Sequence, residues 1–183
     1  MAARITRTLS RLKEFELQLS VSFVDWPEIT LREQKGKLPY DFCNTGTEEG
    51  WIESPPEWID SSILYQSVYT TWLSMREDFD AESQKHANKS FDMLLGPDFA
   101  YELNHPMECW FLAISPTTVA SVANHLDSFD FSSMEQLFDK HCSESDLDCI
   151  ESYDEGFYPY ILQWKSAIDI AKEMRWGLLG HCG

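Results

Sequence analysis

A chain of 183 residues with 43% hydrophobic and 25% charged side chains fits one domain and can bury a core, which excludes a wholly disordered protein. Acidic residues outnumber basic ones 31 to 14, a formal charge of −17, and this opposes nucleic-acid binding, which relies on Lys and Arg to displace counterions from phosphates. The longest uninterrupted apolar run, Cys109 to Ile114, falls far short of the ~20 residues of a membrane-spanning helix, so the chain reads as soluble, with neither nucleic acid nor membrane as partner.

Residues 1–13 carry Arg4, Arg7, Arg11 and Lys13 and no acid. Ile5, Leu9 and Leu12 would share one helical face, as in an Arg-rich transit peptide, but a strand pattern follows at once. The stretch is therefore read as a basic N-terminal arm on a body of charge −21. It lacks the apolar core of a secretory signal. The cysteines, Cys43, Cys109, Cys142, Cys149 and Cys182, are odd in number and irregularly spaced, as expected of thiols in a reducing compartment, so a cytoplasmic location is the default.

Phe15, Leu17, Leu19, Val21 and Phe23 alternate with polar residues and predict a strand with five apolar side chains on one face. From Pro27 to Pro56 no period persists, and Gly36, Pro39, Gly46, Gly50 and Pro55-Pro56 interrupt the chain, so 27–56 reads as a long, irregular, acidic segment suited to ligand or partner contact. Asp60 is placed as the cap of a helix bearing Leu64, Val68, Trp72 and Met75. Asp80 is placed as the cap of a second bearing Ala87, Phe91, Leu94 and Leu95 up to Gly96. Met107 to Ile114 predicts a strand buried on both faces. Ser115-Pro116 predicts a helix start, with Val119, Val122, Ala123 and Leu126 inward. Ser132-Ser133-Met134-Glu135 fits a capping box ahead of Leu137 and Phe138, and Pro159 opens a last helix with Ile161, Trp164, Ile168, Ala171 and Met174 inward until Gly177. The sum is an α+β fold, mostly helical, forming a single domain over 14–183 with a small β-sheet that includes a long N-terminal strand.

Three stretches, Asn88-Lys89-Ser90-Phe91-Asp92-Met93-Leu94-Leu95-Gly96, Phe111-Leu112-Ala113-Ile114-Ser115-Pro116 with the helix to Leu126, and the Ile161-to-Leu179 helix and tail, give the chain a resemblance. In their order and over about residues 60–183 it resembles the YfbM-like family of uncharacterised bacterial proteins. That resemblance implies a fold type and no activity, and the first 60 residues depart from the family's pattern.

Chemistry-bearing motifs are few. His141-Cys142, Cys149 and His181-Cys182 have the ligand types zinc prefers without the spacing of a finger. His105, Glu108 and Cys109 bring an imidazole, a carboxylate and a thiol close in sequence, and the alternative function is a small enzyme or ligand-binding protein with a site between the 27–56 segment and the helical half that uses His105, Glu108 or Cys109. Cys109 also fits a buried strand as a small core residue. Asp146-Leu147-Asp148-Cys149-Ile150-Glu151 begins like a calcium loop, yet Ile150 and Glu151 occupy positions that need an oxygen ligand and a glycine. Phosphate-binding glycine loops, nucleophile elbows and His-Glu-x-x-His helices do not occur, so no catalytic residue, metal or cofactor is assigned.

The acid, however, is concentrated. Residues 127–155 hold ten carboxylates against Lys140, and residues 41–60 hold six against no base. Aromatic side chains lie among them. A basic partner would relieve the self-repulsion of such segments and be steered to them. The candidate partner-binding residues are Glu48, Glu49, Trp51, Glu53, Trp58, Asp139, Glu144, Asp146, Asp148, Glu151, Tyr153, Asp154 and Glu155. The function expected is that of a non-enzymatic acidic binding protein docking a basic protein, in its concrete form an immunity protein neutralising a bacterial toxin. The bland alternative is a solvated acidic face that serves solubility.

Overall fold

The structure, a computed structural model, describes residues 19–36, 42–57, 59, 62–64, 66–95, 100–104, 110–144 and 153–182. Among them the fold is α+β and mostly helical. In chain order it has β1 (Leu19–Val24), α1 (Trp26–Gln34), α2 (Phe42–Glu49), β2 (Ile52–Glu53), β3 (Ser62–Leu64), α3 (Gln66–Met75) and a 3-10 turn (Arg76–Asp78). Then come α4 (Ala81–Asn88), α5 (Phe91–Leu95), β4 (Trp110–Ile114), α6 (Pro116–Asp127), α7 (Met134–Glu144), a π-helical turn (Tyr153–Phe157), α8 (Tyr158–Met174) and β5 (Gly177–Cys182).

The strands form one antiparallel sheet in the order β2-β1-β5-β4, with β3 also pairing with β1. β1 and β5 run register-matched from Leu19 opposite Cys182 to Val24 opposite Gly177. Alternate side chains go to opposite faces of a strand. Here that parity sorts Val21, Phe23, Leu112, Ile114 and Leu178 into a large core under the helices, and Val24, Ala113 and Leu179 into a smaller one beneath α1. In the large core Trp72 lies with its ring centroid 4.8 Å from Phe91, 5.6 Å from Phe79 and 6.2 Å from Phe129. Its indole N–H donates to Asp92 at 2.9 Å.

Several local expectations are met by named contacts. Asp80 accepts from the backbone N–H groups of Glu82 and Ser83, Ser115 caps α6, and Val119, Val122, Ala123 and Leu126 are all buried. Val68, Trp72 and Met75 are buried as the helical stripe requires.

Four expectations are corrected. Segment 27–56 is not irregular throughout: α1, α2 and β2 occupy much of it. α1 starts because Asp25 stands in extended backbone ahead of it, Pro27 suits a first turn whose N–H groups are unbonded, and Glu28 meets the positive end of the helix dipole. Leu64 belongs to β3, paired with Leu19, and not to the helix that follows. The single helix expected after Asp80 is two, since Lys89 and Ser90 interrupt it and Ser90 turns its hydroxyl back onto the His86 carbonyl at 2.7 Å. Ahead of α7, Asp130 accepts from the Ser132 N–H and hydroxyl, in place of a reciprocal Ser/Glu box. The first part of the N-terminal strand pattern, Phe15 and Leu17, lies outside the described residues, as do Asp60, Gly96 and the basic arm.

Candidate acidic docking face

α7 turns Met134 and Phe138 into the core and leaves Glu135 and Asp139, one helical turn apart, exposed. Phe138 packs 5.5 Å from the Tyr153 ring and 5.4 Å from Phe157, which docks the π-helical turn against α7. Tyr153 stacks on Tyr158 at 5.2 Å and 15°. Asp154, exposed, is therefore carried on the same turn as Tyr153 and beside α7. The Tyr153 phenol is pushed far above its ordinary range by burial, then by Tyr158, Glu135 and Asp154, so those two carboxylates act on the tyrosine pair.

Neutralising cations are engaged elsewhere. Lys140 reaches Asp78 at 2.8 Å, and Lys165 bridges Asp127 and Asp169 at 2.9 and 2.8 Å. Glu135, Asp139 and Asp154 make no ion pair among the described residues. Asp78 and Asp127 are held below the ordinary carboxylate range, first by hydrogen bonds from Lys140 and Lys165.

The other acid-rich segment is built differently. Glu48, Glu53 and Glu57 are exposed, whereas Glu49 binds Arg32 and accepts the Trp51 indole N–H at 3.2 Å. The Arg32 guanidinium, also held by Glu28 at 2.6 Å, sits 4.8 Å over the Trp51 ring. Trp51 is only 3% exposed and packs in the smaller core with Val24 and Ile29. It is thus corrected from a surface anchor to a core side chain: the small core needs its ring, and Glu49 satisfies its N–H. The two acidic segments flank different faces of the sheet, α7 over the large core and β2 beside the small one.

Trp58, Asp146, Asp148 and Glu151 lie outside the described residues, as do His105, Glu108, Cys109 and Cys149. Glu144 ends α7 and Glu155 lies in the π-helical turn, with their side chains outside the description; the same holds for His181 and Cys182 on β5. Asn104, just before the His105 segment, is tied to buried Glu33 through its N–H at 2.7 Å and its amide at 3.1 Å. Among the described residues no group of three or more His, Cys, Asp or Glu side chains could hold a metal ion. None of the described helices is long and apolar enough to cross a membrane.

Compared with known protein families, with curated proteins and with solved structures, the chain matches none.

Proposed function

We propose that this is a non-enzymatic binding protein whose acidic face on α7 and the π-helical turn docks a basic protein partner. The observation that carries the reading is the arrangement of Glu135, Asp139 and Asp154. They are exposed and unpaired among the described residues; Glu135 and Asp154 act on the half-buried Tyr153 of the Tyr153–Tyr158 stack, and Asp139 lies one helical turn from Glu135. Carboxylates at a rim speed encounter with a basic surface, and aromatic side chains beside them give that encounter a contact to bury. The overall charge of −17 extends the attraction beyond the patch. In its finer form the partner is a toxin with a basic cleft that this face covers, as an immunity protein would.

The test is capture of partners by the tagged full chain from its host's lysate at low and high salt, with identification by mass spectrometry. A stoichiometric basic protein whose recovery falls with salt is expected. Stoichiometric recovery of nothing, or only of partners indifferent to salt, contradicts the reading.

A further inference from the structure

Two histidines 39 positions apart in sequence meet between α4 and α6, with His86 Nδ1 3.1 Å from His125 Nδ1. On its other side His86 Nε2 lies 3.2 Å from Glu82 Oε1. This geometry assigns the protons of the neutral pair, because Nε2–H of His86 donates to the carboxylate and leaves its Nδ1 as the acceptor for Nδ1–H of His125. A first added proton can sit on the free Nε2 of His125 without disturbing that bond. A second must go to His86 Nδ1, which then faces another N–H donor, so the bond is lost and two cations are in contact.

We propose that the His86–His125 pair is a proton-sensitive clasp that holds α4 to α6 near neutrality and releases them in acid. The surrounding charge favours release. Lys85 of α4 and Lys89 at its C-terminal cap act on His125, and Glu82 is the sole carboxylate with an oxygen within 4 Å of a ring nitrogen of either histidine among the described residues. Most acids on the neighbouring elements are committed elsewhere: Asp92 of α5 to Trp72 and Arg76, Glu77 and Asp78 of the 3-10 turn to Arg76 and Lys140, Asp127 to Lys165 and Lys172 from α8, and Asp169 of α8 to Lys165, while Glu173 of α8 is exposed and makes no ion pair among the described residues. Glu82 is itself shared with Lys85 at 3.0 Å. His125 stands in the last turn of α6, where the helix dipole favours a cation, yet burial first, and then His86, Lys89 and Lys85, hold its affinity for protons below the ordinary imidazole range. A base that binds protons less well folded than unfolded withdraws stability in acid, so the first proton, on His125, weakens the folded state as the pH falls from the ordinary imidazole value of about 6.5 through the lowered one, and the second proton breaks the bond itself.

The test uses the full chain with nitrogen-15 histidine. A scalar coupling between the two Nδ1 nuclei is expected at neutral pH and should vanish in acid. With it, amide-exchange protection along the facing turns of α4 and α6, corrected for the intrinsic effect of pH, should fall on the order of tenfold. In His86→Ala, His125 should titrate higher than in the wild type. Absence of the coupling at neutral pH overturns the clasp without any variant. So does protection that stays constant from neutral pH into the acid in which the coupling is lost.

Discussion

The two faces of the sheet are held by different physics. Beneath the helices, Trp72, Phe79, Phe91 and Phe129 make a continuous aromatic cluster whose ring centroids lie 4.8 to 6.2 Å apart. Among the described residues the opposite face has few buried apolar side chains, Val24, Ile29, Trp51, Ile52, Leu103, Ala113 and Leu179, and it is secured by polar ties. Arg32 joins α1 to α2 through Glu28, Glu49 and the Trp51 ring, and buried Glu33 joins α1 to Asn104. A layer with little apolar area thus relies on groups whose removal leaves a partner unsatisfied, while the large core relies on volume.

Substitutions should separate the two. Trp72→Ala should cost most, about 3–5 kcal/mol, by opening the aromatic cluster, and urea unfolding measures it directly. Gly177→Ala comes next at about 1–3 kcal/mol, because a methyl group there would stand 2.5 Å from the Trp26 ring and 2.6 Å from the Ile114 carbonyl oxygen. Glu33→Ala should cost a comparable or smaller amount, roughly 1–3 kcal/mol, by leaving the Asn104 N–H without its acceptor. Its signature is faster amide exchange at Asn104 and in α1 with the large core unchanged. If Glu33→Ala destabilised both faces alike, the division between them would fail.

Acid provides a graded probe. Asp78, Asp80, Glu82, Asp127 and Asp130 are held below the ordinary carboxylate range, their hydrogen bonds to Lys140, Ser83, Lys85, Lys165 and Ser132 being the largest cause in each case. Their stabilisation is fully present above that range, at about pH 4–5, and is lost as the pH falls through the lowered values. Asp92 runs the other way. Burial raises its affinity for protons, so protonating it relieves a cost. Urea midpoints across this range should fall with acidification, and Asp92→Asn should make the fall steeper by removing a carboxylate that opposes it.

Much of the fold was legible because period and capping signals agreed. The alternation through Val21 and Phe23, the Ser115-Pro116 start of α6 and the Asp80 cap are local chemistry, and each appears as read. β5 was not legible. Gly177–Cys182 carries two glycines, poor strand formers, and becomes a central strand only because β1 and β4 pair with it on both sides. Gly177 is required there by the close approach of Trp26 and Ile114. α1 was legible in principle from Asp25, Pro27 and Glu28, but the glycines and prolines downstream concealed it. At the candidate face, charge density points to Asp139 and Asp154, while nothing local sets Glu135 apart from the other carboxylates of residues 127–155. Composition cannot reveal which aromatic residues are surface anchors: Trp51 is core, and Tyr153 sits at the patch. The His86–His125 contact joins positions 39 apart, beyond the reach of any local pattern.

Charge neutralisation at the surface should change stability least. Glu135→Gln, Asp139→Asn and Asp154→Asn together, and Glu48→Gln, Glu53→Gln and Glu57→Gln together, should each leave the unfolding free energy within about 0.5 kcal/mol per site. The most direct test of the docking face is therefore partner recovery from host lysate by these two triple variants beside the wild type, at low and high salt. The account predicts that the α7 and π-turn triple loses the basic partner and its salt dependence while the β2-side triple retains both. Equal recovery by the wild type and the α7 and π-turn triple would contradict it.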